Sequence, residues 1–449
     1  MDVQVHENCA ATADCQDNDN DTGLSKTIAT RSAGLKKLED FIPRAGRAYQ
    51  ATRNLDYGMA KHSNVSNLSP YIRHRLITEE EVLAAVLNVH SETDAFKFVQ
   101  EVFWRSYWKG SLEHRGMLWS EYQQSLPWNL DSLRKDQKRW TTYQQAVAGQ
   151  TNIQPFNDWV TELLTTGYVH NHARMWFASV WIFTLQLPWE LGADFFLRNL
   201  LDGDAASNTL AWRWVAGLHT KDKTYLATAS NIRKCSGERF ADTCDFTLGL
   251  KRLATTAQPQ QENLSPGALQ TTSIDWPKPI TCVLGQNTVA GVLLTEDDLC
   301  TDLPFQPSAI AVLSATPRST IAPTNELVQQ FTNAALIDSL QRLTEESQAE
   351  VCQHAMTEEE IVHWAVEQKV EQLFHPYAPS GPTQIRLLNL APKLAAKGIK
   401  LTAFMRDYDR LVWPHANKGF FQLGKQIPSF LSVMELGQNL SADRILNGL

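Results

Sequence analysis

The sequence is poor in the signals that mark the common redox and nucleotide-binding classes. Its seven cysteines, at 9, 15, 235, 244, 282, 300 and 352, include no CxxC pair. A zinc ribbon and a four-cysteine iron–sulfur site lack their spacing here, and an odd number does not close a disulfide framework. Reduced thiols in a cytoplasmic chain are the expectation. No run approaches the roughly 18 apolar residues of a membrane-spanning helix, so no membrane partner is expected. The acidic N-terminus has no apolar stretch of a secretory signal. GxGxxG and Walker loops are absent, so the usual nucleotide folds are not signalled. Positive charge is short as well: 41 Lys and Arg face 49 Asp and Glu, a formal net charge of −8. That excludes a histone-like binder, though a local basic patch can still meet nucleic acid.

What is present suits a multidomain protein. The chain has 449 residues, 43% of them hydrophobic, enough to bury real cores. Fourteen tryptophans need large buried surfaces or flat ligands to stack on. Residues 1–34 read as a disordered acidic tail, with the run DCQDNDNDTG. Its Asx residues suggest a calcium loop as the sharper alternative, but the twelfth-position glutamate of an EF-hand is missing, and no metal site is expected. Over 35–250, segments such as TEEEVLAAVLNV and DAFKFVQEVFWRSYW repeat apolar residues at helical spacing. Residues 251–275, rich in Gln, Thr, Pro and Ala, read as a linker. Over 276–435, short apolar runs (ITCVLG, VAGVLL, AIAVLS and the end of KLAAKGIKLTAF) alternate with helical stretches, the pattern of a parallel α/β domain.

Four segments carry possible chemistry. Glu101, Arg105 and Trp108 fall on one helix face, with Phe98 and Trp104 nearby; a carboxylate, a guanidinium and indoles can hold a flat heterocycle, or form a surface ion pair beside core tryptophans. In TTGYVHNHARM, Asn171, Arg174 and Met175 share a face, whereas His170 and His172 cannot, which argues against a two-histidine metal site. In LLDGDAASNTLAWRW, Asp204, Asn208 and Trp212 share a face, and Asp202 and Asp204 suit a helix start or a heterocycle's polar edge. Ser66 and Ser69 of SNLSPY, after Tyr49 and Arg53, would line a turn suited to phosphate.

Taken in this order, SNLSPY, EVFWRSYW, TTGYVHNHARM and LLDGDAASN…WRW resemble the FAD-binding domain of the photolyase/cryptochrome family over residues 35–215. The resemblance implies FAD held by Tyr49, Ser66, Leu68 and Ser69 around the phosphates, with Glu101 and Arg105 lining the flavin and lesion pocket. It implies an Arg174–Asp202 ion pair beside the isoalloxazine, Asn171 among the cofactor-binding residues, Asp204 at the flavin or ribose edge, and Asn208 at flavin N5. Trp104, Asn171, Met175 and Trp214 match walls of a pocket for a flipped pyrimidine dimer, and Glu101 matches the acid that bonds the lesion. Trp212 and Trp189 match the inner members of an electron-relay chain. The outer member falls near Asp136 or Gln137, so Trp140 and Trp128 are the substitutes to consider.

The resemblance therefore implies light-driven repair of damaged DNA. The alternative is a cryptochrome-like blue-light photoreceptor acting through a signalling partner. Favouring the latter, His172 replaces a lesion-side arginine, and Ala227 stands near a missing phosphate-binding arginine. Lys221, Lys223, Arg233, Lys234 and Arg239 partly restore a basic stretch. The C-terminal α/β part resembles the family's antenna domain, normally N-terminal, which implies a change of domain order without fixing any antenna chromophore. The expected fold class is multidomain α and α/β: an all-α FAD-binding domain followed by a Rossmann-like parallel α/β domain.

Overall fold

The computed structural model describes residues 27–59, 61–219, 224–240, 274–280 and 288–436. Most of the acidic tail, nearly all of the linker, the ITCVLG run after Ile280, Lys221 and Lys223 lie outside the described residues.

The first part is helical: α1 (Arg31–Phe41), α2 (Arg47–Thr52), α3 (Ser69–Arg73), α4 (Glu79–Leu87), α5 (Glu92–Glu113), α6 (Met117–Lys135), α7 (Gln137–Val147), α8 (Gln154–Thr166), α9 (Asn171–Ser179), α10 (Trp189–Asn199), α11 (Ala205–Val215) and α12 (Ala229–Ser236). Side-chain caps explain several starts. Thr78 and Glu81 form a reciprocal capping box on α4, Ser91 accepts from the Asp94 amide on α5, and Asp204 accepts from the Ser207 amide on α11. Gly167 ends α8 at φ +67, where a side chain would be strained and would strike Leu201. Helix α9 runs into one wide π turn, Val180–Thr184.

The second part is a five-stranded, all-parallel sheet: β1 (Ala290–Leu294), β2 (Ala309–Val312), β3 (Glu350–Val351), β4 (Gln372–Pro376) and β5 (Lys400–Phe404). The order is β3-β2-β1-β4-β5, with parallel pairing throughout, a doubly wound Rossmann-like arrangement. Helices α13 (Glu326–Glu346), α14 (Glu358–Glu367) and α15 (Pro382–Ala395) make the crossovers. β1 and β2 are buried along their whole length, which is why they read as continuous apolar runs.

Packing does not follow the chain's division into two parts. Helices α1 to α4 and the first half of α5 share one continuous core with the sheet, from Leu38, Tyr71 and Phe103 to Val292 and Leu373. The end of α5 and helices α6 to α12 build a second core, rich in tryptophan. The last helices, α16 (Asp407–Val412), α17 (Phe420–Gly424) and α18 (Ile427–Val433), return to α5; Phe420 stacks on Trp104 at 3.6 Å and 9°. A buried ionic knot fastens the two parts. Arg75 reaches Asp298 at 3.0 Å and both carboxylate oxygens of Asp409 at 2.6 and 2.8 Å, and Arg406 holds Asp298 from the other side.

Candidate flavin site and aromatic relay

The functional side chains of α5, α9 and α11 converge because these helices pack on one another. Asp204, the cap of α11, also faces Arg105 and Lys109 of α5, each 3.9 Å away. Burial raises its carboxyl, but Lys109, Arg105 and Arg73 outweigh that and hold it well below the usual range. Burial pulls the Lys109 ammonium below its ordinary value, opposed by Asp204. Asp202 is bound by Arg174 at 2.9 Å, so the ion pair named from the resemblance is formed. Burial opposes its ionisation, but Arg174 keeps the carboxyl low.

Asn208 is buried, and its amide donates to the Ala193 carbonyl at 2.7 Å, which fixes the orientation of its other polar atom. Tyr49 lies edge-on to Phe41 and Phe98. Leu68 is buried, and its amide meets the Ser66 hydroxyl at 3.4 Å. Ser69 opens α3, a helix of only five residues.

Glu101 and Arg105 do not pair with each other along the helix, contrary to the surface-pair reading. Glu101 pairs with Arg53, while Arg105 turns inward toward Glu79 and Asp204. Burial raises the Glu101 carboxyl, and Arg53 only partly offsets it. Asn171 is exposed, Met175 half-buried, and Trp214 is 37% exposed against Tyr225. His170 and His172 do diverge. His170 stacks on His62 at 5.7 Å, and His172 lies on Trp176 at 4.7 Å.

Sequence reasoning missed three members of the cluster. Lys109 stands one turn beyond Arg105 and two beyond Glu101, a spacing that could have revealed it. Arg73 bonds the Gly203 carbonyl at 2.8 Å, and Arg318, from the α/β part, bonds the Leu200 carbonyl at 2.6 Å. Their distance along the chain left no local signal.

Two further groups bear on the expectations. Asp56, His62 and Glu162 bring possible metal-ligand atoms within 4.8 Å of one another, but Arg239 pairs with both carboxylates, at 2.9 and 3.3 Å. The guanidinium thus supplies the cation between them, and Arg239 is withdrawn from the basic stretch read in the sequence. Among the tryptophans, Trp212 is buried and meets Phe177, Trp181 and Phe196. Trp189 opens α10 and stacks on Tyr122 at 5.8 Å. Trp140 stacks on Tyr143, whereas Trp128 is 71% exposed.

This is a helical unit backed by a doubly wound parallel sheet. Residues 98–248 match the family model described as the FAD binding domain of DNA photolyase. The mitochondrial deoxyribodipyrimidine photo-lyase of Saccharomyces cerevisiae is 28% identical over 196 residues, 41% of this chain and 33% of the relative. The deoxyribodipyrimidine photo-lyase of Agrobacterium fabrum is 29% identical over 222 residues, 48% of this chain and 43% of the relative. The chain thus spans less than half the length of these relatives. Among solved structures, a class III photolyase from Agrobacterium tumefaciens is similar with a TM-score of 0.39 and 24% identity, covering 54% of this chain and 47% of that one. A Synechocystis cryptochrome is similar with a TM-score of 0.41 and 20% identity, covering 55% and 49%.

Proposed function

We propose that the protein is a FAD-dependent, light-driven flavoprotein of photolyase type that splits pyrimidine dimers in DNA. The observation that carries the cofactor reading is Arg105. Its Nε and one Nη are buried without a hydrogen-bond partner, and one oxygen of Asp202 is buried in the same condition. Buried polar atoms are costly when unpaired, so donors and acceptors left open beside a charge cluster fit a polar ligand that completes them. When bound, FAD would supply the light-absorbing, one-electron chemistry.

The chain's residues would do the rest. Arg105, Lys109 and Arg174 supply positive charge, Asp202 and Asp204 orient it, and Asn208 presents its fixed amide to the ring edge. Tyr49, Ser66, Leu68 and Ser69 would border the phosphates. Glu101, its carboxyl raised by burial and paired with Arg53, would face the dimer at the edge of the site. Trp104, Asn171, Met175 and Trp214 would wall that substrate.

The photoreceptor reading has its own support: one face of Trp104 is covered by Phe420, and Arg239 is already paired inside the protein. Illumination of flavin-loaded protein with a dimer-containing oligonucleotide separates the two. Dimer loss under light and not in darkness supports repair. Intact dimers with a light-driven flavin colour change would leave the photoreceptor.

A further inference from the structure

Trp212 has a path to the surface that does not pass through Trp189. Its ring lies 6.3 Å from that of Trp181, Trp181 lies 6.0 Å from Tyr143, and Tyr143 lies 5.4 Å from Trp140. Each step is a contact between rings. Trp181 sits in the π turn after α9, where the extra residue per turn shifts side chains from their ordinary helical positions. Gly192 shows how closely the first two rings meet. A Cβ there would lie 2.4 Å from Trp212 and 2.9 Å from the Trp181 nitrogen, so both indoles crowd one point of α10.

The two ends of the path differ in the way a relay needs. Trp212 and Trp181 are buried, whereas Trp140 is partly exposed. The Trp189 branch instead runs through Tyr122 to Trp119, and all three are buried.

We infer that Trp181 and Trp140, bridged by Tyr143, carry the electron that reduces the flavin, in place of a route through Trp189. The inference rests on the FAD reading above. With FAD bound, Trp212 would be the inner electron donor, Trp181 would refill Trp212, and Trp140 would refill Trp181 through the Tyr143 ring. The Trp181 N–H donates to the Pro188 carbonyl at 2.9 Å, a base too weak to take the proton, so the hole moves on. Tyr143 supplies the ring that joins Trp181 to Trp140. The Trp140 cation sheds its indole proton to water, helped by the Arg134 guanidinium 5.7 Å from the ring. An external thiol then returns a hydrogen atom to the neutral indole radical and leaves as a thiyl radical, which closes the balance of electrons and protons.

The test compares Trp181→Phe, Trp140→Phe, Tyr143→Phe, Tyr143→Leu and Trp189→Phe in the full chain, loaded with FAD. Flavin content and dark spectra are recorded first. Photoreduction with external thiol should fall at least tenfold in Trp181→Phe and Trp140→Phe. It should fall by less than twofold in Trp189→Phe and Tyr143→Phe, and clearly in Tyr143→Leu, which has no ring. Electron paramagnetic resonance should show an indole radical in wild type that is lost in Trp140→Phe. Trp140 is partly exposed, so its variant keeps the test open if Trp181→Phe folds poorly. Photoreduction lost in Trp189→Phe, or unchanged in both Trp181→Phe and Trp140→Phe while flavin stays bound, overturns the route. Wild type that retains no flavin would overturn the cofactor reading instead.

Discussion

Arg105 is the most direct single-residue probe of the flavin reading. Its long contacts to Glu79 and Asp204 leave hydrogen-bonding capacity that a bound anion or heterocycle would use. Hydrogen bonds to charged groups are worth about 1.5–3 kcal/mol. Arg105→Met should therefore weaken FAD retention by roughly tenfold or more, read as flavin absorbance per protein after gel filtration. Retention equal to wild type would remove Arg105 from the site. At this scale the sequence was informative where residues share a helix. Asp204, Asn208 and Trp212 could be aligned on one face from spacing alone. The partners that come from elsewhere in the chain, Arg53 on Glu101 and Arg318 on Leu200, could not, because no local period connects them. The Glu101–Arg105 pair was misread for the same reason: better partners arrive through tertiary packing.

Between elements, close approach matters more than charge. Helices α10 and α11 touch where Gly192 admits the Trp212 ring. Gly192→Ala must displace that indole, and overpacking of this kind costs typically about 1–3 kcal/mol. A lowered melting temperature together with slower photoreduction is the expected pair of effects, because the same shift separates Trp212 from Trp181. Normal photoreduction in a clearly destabilised variant would detach the packing from the relay.

Phe420 of α17 offers a second test. It is buried and stacks on Trp104, so Phe420→Ala should cost on the order of 3–5 kcal/mol, visible in denaturant unfolding. Element types were largely readable. TEEEVLAAVL carries a capping box, and the runs VAGVLL and AIAVLS hold β1 and β2. β4 was not read as a strand: Gln372, His375 and Pro376 break its apolar texture, although all five of its residues are buried.

Over the whole molecule, acid should loosen the fold through buried neutral histidines. Burial holds His74 and His170 below the ordinary histidine value and His375 down to about 4. The unfolded chain takes up their protons near pH 6.5, and the folded one only further down. Stability from these groups is full above that pH and is lost as pH falls toward 4. Glu80 works the other way. Burial raises its carboxyl to about 7, so its folded form binds a proton first and gains stability on acidification. Burial lowers His172 and His219 as well, and raises Glu101, Glu190 and Asp194 alongside Glu80; in the unfolded chain the histidines charge first on acidification, so the denaturation midpoint should decline from pH 6.5 to 4.5, less steeply in His375→Gln. A midpoint that rises over this range would contradict the balance.

The Arg75 knot should respond more sharply. Arg75→Met strands Asp409 in the interior while Asp298 keeps Arg406, and breaking a buried pair in this way costs about 3–5 kcal/mol. A loss below 1 kcal/mol, the range of exposed pairs, would show that water reaches these carboxylates. That a single core would unite the first helices with the sheet was not legible in the sequence, because the linker-like composition of 251–275 suggested independent halves.

The shared core also bears on how the chain is made. Arg75 and Asp409 lie 334 residues apart, yet they meet inside the same interior. During synthesis, helices α1 to α4 emerge with apolar faces whose partners do not yet exist, and they wait until the sheet and the returning α16 to α18 have left the ribosome. Such long-range closure is slow and leaves a nascent chain exposed to aggregation. The tryptophan-rich second core, built from α5 to α12, can assemble earlier from near neighbours. The order of translation thus makes the tryptophan-rich side of the molecule an early folding unit, and the wall behind the candidate site the last part to close.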